Sequence, residues 1–121
     1  MSILFIPMKK IEFNTPDGFY SINPDDILYI EASNRYAKLI LVDGSEIDLA
    51  LNLQECIGLL PKMNFYSINR SVIININRIF KFIHTEDRRG KVTMRNGEIF
   101  EVSRRRKSSL VFLIKKMTNK Y

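Results

Sequence analysis

Short apolar runs separated by turn residues fill most of the chain. Ile11-Glu12-Phe13-Asn14 alternates apolar and polar, Thr15-Pro16-Asp17-Gly18 has turn chemistry, and Phe19-Tyr20-Ser21-Ile22 runs extended. Asp26 to Ala32 and Tyr36 to Val42 are two further runs. Asp43-Gly44 joins the second of them to Glu46-Ile47-Asp48-Leu49, and Asn96-Gly97 joins Lys91–Arg95 to Glu98–Val102. Links of this kind predict hairpins whose two central residues both take positive φ. Val72-Ile73-Ile74 and Ile79-Phe80-Lys81-Phe82-Ile83 are rich in β-branched and aromatic residues and read as strands.

Two segments repeat with a helical period instead. Leu53, Cys56, Ile57 and Leu60 fall at i, i+3, i+4 and i+7. Asn52 is placed to cap this helix, Glu55 completes a capping box, and Pro61 ends it. The second helix runs from about Arg104 to Met117, with Leu110, Leu113, Ile114 and Met117 on one stripe and Ser103 as N-cap. The fold class is therefore mostly β with short helices, one central and one C-terminal. Residues 1–20 read as an N-terminal extension or first strand and 21–121 as the domain. Leu53, Ile57 and Leu60, and Leu110, Leu113 and Ile114, are expected to bury against Ile30, Leu39, Leu41, Ile73 and Phe82.

At 121 residues the chain suits one core, and 45% hydrophobic against 26% charged residues is a globular balance. The apolar start Met1–Pro7 has neither a basic flank before it nor a small-residue cleavage site. It does not read as a signal sequence. One cysteine, Cys56, cannot build a disulfide framework and lies on an apolar helix stripe. A cytoplasmic location is the default. The single histidine, His84, has no partner near it in sequence. Neither a Gly-rich phosphate loop nor metal-ligand spacing is present, so we expect no enzyme, no metal and no cofactor.

The net charge is +6, and the basic excess lies after Asn64. Such a balance suits an anionic partner. Arg104-Arg105-Arg106-Lys107 stands where a helix N-terminus prefers anions. An external phosphate would meet free backbone N–H groups and guanidinium forks together there. Asn69-Arg70-Ser71 interrupts a strand-like sequence with groups able to reach a base edge or a phosphate. Ser33-Asn34-Arg35-Tyr36-Ala37-Lys38 lies between two apolar runs and offers similar chemistry. Taken alone, each of the last two is more simply a surface turn. Arg88-Arg89-Gly90-Lys91 reads first as a solvated hairpin tip and second as a phosphate contact.

In order along the chain, Asp26–Ala32, Asp43-Gly44, Leu53 to Pro61, Phe65–Asn75, Ile79, Asn96-Gly97 and Val102-Ser103-Arg104 resemble the LytTR family, the output domains of bacterial transcription regulators. The resemblance covers roughly residues 20–117, and Phe65–Asn75 with Val102–Arg104 carries most of its specificity. It implies an elongated arrangement of small antiparallel sheets. It also implies sequence-specific binding of double-stranded DNA by loop and strand-end residues in successive major grooves, on direct-repeat promoter sites, with a homodimer forming on the DNA. Carried over by position, the base contacts are Tyr36 (with Asn34, Arg35 and Lys38 as close alternatives), Arg70 and Arg104. Asn34, Arg35, Lys38, Asn69, Ser71, Ser103, Arg105, Arg106 and Lys107 are the backbone or neighbouring contacts. The family's response regulators carry a receiver domain ahead of this one, and only about 20 residues precede the resemblance here. Either the chain is a stand-alone regulator or it is an excised fragment, and the initiating Met1 with its apolar start favours a natural N-terminus. Two other classes stay open: a protein-interaction module controlled by a regulatory partner, and an RNA-binding domain.

Overall fold

The computed structural model describes residues 9–118, which leaves the apolar start and the last three residues outside the described part. The elements run β1 (Ile11–Thr15), β2 (Gly18–Ile22), β3 (Ile27–Ser33), β4 (Tyr36–Leu41), β5 (Glu46–Asp48), α1 (Leu53–Leu59), β6 (Phe65–Asn69), β7 (Val72–Asn75), β8 (Ile79–His84), β9 (Gly90–Met94), β10 (Ile99–Val102) and α2 (Arg104–Thr118). The strands form a five-stranded sheet, β5-β4-β3-β7-β6, a three-stranded sheet, β10-β9-β8, and the hairpin β1-β2. Every pairing is antiparallel.

The five-stranded sheet is apolar on both faces, which is why β3 reads as four consecutive buried residues, Ile27 to Ile30, rather than as an alternation. On one face Ile30, Leu39 and Ile73 pack with Cys56 of α1, with Leu60 just after it, and with Phe13 and Ile22 of the first hairpin. On the other, Tyr29, Ile40 and Ile74 pack with Val92 and Met94 of the small sheet and with Leu110 of α2. Leu110, Leu39 and Ile30 are fully buried, whereas Leu53, Ile57, Leu113, Ile114, Leu41 and Phe82 are half-buried. Burying each such side chain completely contributes roughly 1.5–3 kcal/mol. Asn75 is buried between the layers with its polar ends satisfied. Its Nδ2 donates to the Ile27 carbonyl at 2.8 Å, and its Oδ1 accepts the Asn77 N–H at 3.0 Å.

Helix α1 starts as its sequence predicts. Asn52 Oδ1 accepts the Glu55 N–H at 2.8 Å, and Glu55 Oε1 accepts the Asn52 N–H at 3.0 Å. The two Gly-containing hairpins form, but not with the two-residue turn expected. Gly44 donates to the Leu41 carbonyl and Leu41 to the Ser45 carbonyl, while Gly97 donates to Met94 and Met94 to Glu98. Only the glycines take positive φ, at 93° in both turns. These are three-residue loops, a type I turn followed by a left-handed glycine. The residue before each glycine remains in ordinary conformation and uses its side chain instead. Asp43 Oδ1 accepts the Ser45 N–H and Asn96 Oδ1 the Glu98 N–H.

Candidate nucleic-acid interface

The three basic segments converge through the pairing of the large sheet. Strand β3 runs toward the β3–β4 turn at Asn34-Arg35, and β7 begins just after the β6–β7 turn at Arg70-Ser71. Glu31 pairs with Val72, and the Ala32 N–H donates to the Ser71 carbonyl at 2.8 Å. The two turns therefore leave the same end of the sheet on adjacent hairpins. The Ser103 N–H donates to the Ile68 carbonyl at 3.0 Å, which sets the start of α2 beside the end of β6. Tyr36, Arg70 and Arg104 thus follow one another across one end of the molecule, in steps of roughly 5 Å per strand.

Each side chain has a distinct setting there. Asn34 occupies the left-handed region (φ 58°), which its short polar side chain tolerates, and so allows the tight turn. The Arg35 guanidinium lies 5.9 Å from the centre of the Tyr36 ring, and Tyr36 is 45% exposed. Arg70 is exposed at the tip of its hairpin. Arg104 and Arg105 are exposed on the first turn of α2, and Lys107 is half-buried.

Other expected contacts are already engaged within the protein. Lys38 Nζ forms an ion pair with Glu46 Oε1 at 3.3 Å and sits in register between Glu31 and Asp48. Glu46 holds its ammonium charged, raising its pKa above the ordinary lysine value. Arg106 Nη1 donates to the Ser67 carbonyl at 3.1 Å, and the Tyr66 hydroxyl donates to the Arg106 carbonyl at 3.2 Å. Asn69 Oδ1 accepts the Ser71 N–H at 2.7 Å, while its Nδ2 donates to the Glu101 carbonyl at 2.7 Å.

Asn69, Arg104 and Arg105 line one open groove with Glu101, Val102, Ser103 and Arg89. For Arg89 the sequence favours a solvated hairpin tip over a phosphate contact. Arg89 follows a turn in which Asp87 and Arg88 both take positive φ, at 60° and 61°. Two consecutive non-glycine residues in that region are uncommon, and the sequence holds no signal for them. Tyr36 borders a separate hollow with Pro16, Ser33, Asn34, Lys38 and Asp48.

A sequence model of the LytTr DNA-binding domain matches residues 17–115. The chain belongs to the LytTR family. Among solved structures, this LytTR domain is similar to the LytTr DNA-binding domain of a candidate methyl-accepting/DNA response regulator from Bacillus cereus. The identity is 26%, over 88% of this chain and 96% of that one, with a TM-score of 0.74. No sequence match was found among curated proteins. The LytTR fold is a non-catalytic, DNA-binding one of the kind that transcription regulators carry. Among the described residues no cluster of His, Cys, Asp and Glu is arranged to hold a metal ion. No helix among them is long and apolar enough to cross a membrane.

Proposed function

We propose that this LytTR domain binds duplex DNA sequence-specifically, as the output module of a cytoplasmic transcription regulator. The supporting observation is the convergence of the Asn34-Arg35, Arg70-Ser71 and Ser103-Arg104 segments on one end of the sheet. Arg70 and Arg104 are the base readers, since both are exposed. An arginine fork on guanine O6 and N7 is the commonest specific contact and discriminates by roughly 1–3 kcal/mol. Tyr36 is the third reader, at the far end of the array. Arg35, Arg105 and Lys107 hold phosphates, and Arg89, which lines the same groove as Arg105, joins them. Asn34, Ser71 and Ser103 shape the backbone that carries the readers. Lys38 contributes less, because its partly exposed ion pair with Glu46 competes with a phosphate for the same ammonium. Linked copies on direct-repeat sites would add affinity to one domain's modest contact area.

The test is a gel-shift series against the native promoter, at several salt concentrations. Arg104→Ala is expected to lose tenfold or more in specific affinity, about 1.4 kcal/mol, with little change in non-specific affinity. An unchanged specific affinity would remove Arg104 from the reading.

A further inference from the structure

We propose that Asn69 is a positioning residue that fixes Arg70 relative to Arg104, and not a DNA contact. This rests on the reading of those two arginines as base readers. The amide of Asn69 is held at both ends. Its oxygen closes the Arg70-Ser71 turn by accepting the Ser71 N–H at 2.7 Å. Its nitrogen crosses to another sheet and donates to the Glu101 carbonyl at 2.7 Å. Glu101 stands three residues before Arg104, on the strand that runs into α2.

The connection is needed because of the topology. Arg70 belongs to the five-stranded sheet and Arg104 to the junction between the three-stranded sheet and α2. Among the described residues no β-ladder joins these two sheets. At this end they are held by the Ser103 N–H on the Ile68 carbonyl, by Arg106 on the Ser67 carbonyl, by the Tyr66 hydroxyl on the Arg106 carbonyl and by Asn69. Of these four, only Asn69 connects the reading turn itself to β10. A bulge between Ser67 and Asn69 shifts the register of β6 against β7 just before the turn. Bulges re-aim side chains, and this one lies next to the amide that makes both bonds. Both bonds reach backbone atoms, so the geometry they impose does not depend on a flexible partner. Two readers that must meet two base edges at once lose discrimination if their separation varies.

A serine at position 69 separates the two bonds. It retains an oxygen able to close the turn and is too short to reach Glu101. Asn69→Ser is therefore measured alone and combined with Arg104→Ala, for specific and non-specific duplexes, across a salt series and with a thermal melt. We expect about a tenfold loss in specific affinity for Asn69→Ser in the parent background, equivalent to about 1.4 kcal/mol. Non-specific affinity and the salt slope stay as in the parent, because no cation has been removed. In the Arg104→Ala background the same substitution changes specific affinity less than about twofold, because the reader it positions is gone.

Equal losses in both backgrounds would mean an independent contact of Asn69 with DNA and would overturn the proposal. A parallel fall in specific and non-specific binding would overturn it too, as would no fall at all. If Arg70→Ala and Arg104→Ala themselves leave specificity intact, the base-reading assignment fails first and takes this proposal with it. If those variants lose specificity and Asn69→Ser does not, the positioning role alone is wrong. Should Asn69→Ser lower the melting temperature, hydrogen exchange at the Ser71 amide decides. Protection like the parent's shows the turn intact and the tie to Glu101 alone cut, whereas fast exchange shows that the turn itself has opened and overturns the assignment.

Discussion

Arg106 and Arg105 are adjacent arginines on the same helical turn, and their replacement by alanine should have opposite consequences. Arg106 Nη1 donates to the Ser67 carbonyl at 3.1 Å, and its own carbonyl accepts the Tyr66 hydroxyl at 3.2 Å. Truncation removes the first of these bonds. A hydrogen bond to a charged group contributes roughly 1.5–3 kcal/mol. Removing a cation from a helix N-terminus returns about 0.3–1 kcal/mol. The net loss is about 1–2 kcal/mol, which in a domain of this size lowers the melting temperature by roughly 4–8 °C. The salt dependence of DNA binding should be untouched, since that guanidinium faces Ser67 and not a phosphate. Arg105 is exposed on the groove, so Arg105→Ala loses no internal bond and should only gain the same roughly 0.3–1 kcal/mol from the helix dipole, which raises the melting temperature slightly. It should reduce the slope of log K against log salt by about 0.9. Calorimetric melts and salt titrations of both variants provide the comparison. An Arg106→Ala protein that melts like the parent while its salt slope falls by that amount would refute the division of labour.

The packing and the buried thiol make three more outcomes measurable. Leu110→Ala empties a fully buried site between α2 and the small sheet and should cost about 2–5 kcal/mol in urea denaturation. Gly90→Ala should cost about 1–3 kcal/mol in the same assay, because a Cβ there would stand 2.6 Å from Phe82 Cζ, so that the half-buried ring must shift, and 3.0 Å from the Ile83 carbonyl oxygen. Burial pushes the Cys56 thiol from its ordinary value of 9.0 up to about 12. In the unfolded chain the thiol ionises near pH 9 and in the folded chain near 12, so between those values the unfolded state binds fewer protons and stability falls as pH rises. Cys56→Ala should flatten that part of the stability–pH curve, and in the parent at about pH 8 a thiol reagent should react only after unfolding.

Where local chemistry decides the structure, the sequence is readable. The α1 cap is an example, since Asn52 and Glu55 satisfy each other within one turn. The stripes of α1 and α2 place Cys56, Leu60 and Leu110 correctly, because a helix's own period tells which side faces inward. Turn type is not readable to the same depth. Asp43-Gly44 and Asn96-Gly97 are compatible with two loop lengths, and the choice depends on which residue donates back, Leu41 and Met94 here. The candidate site is legible as three segments but not as a division of roles. Arg106 and Arg105 look alike in a run of basic residues. What separates them is the Ser67 carbonyl, 39 residues away along the chain. The bond that occupies Asn69 is hidden in the same way, since Glu101 is 32 residues away. Arg89 gives no sign of its place beside Arg104, because that place depends on a turn with two left-handed residues.

The basic first turn of α2 is a weaker anion trap than its sequence suggests. Four cations at a helix N-terminus oppose the macrodipole, and an anion bound there would compensate all four. The structure reduces the excess that needs compensation. The Ser67 carbonyl already receives Arg106. Arg104 and Arg105 are left exposed beside the groove that Arg89 also lines. Glu101 lies in the same groove and supplies one negative charge near them. Three exposed forks and one carboxylate, a net of two positive charges, hold a free anion less firmly than a run of four cations would. They are better suited to a partner whose charges have fixed spacing. A phosphate backbone has that spacing, and its approach to Arg105 and Arg89 would leave Arg104 free to turn toward a base edge.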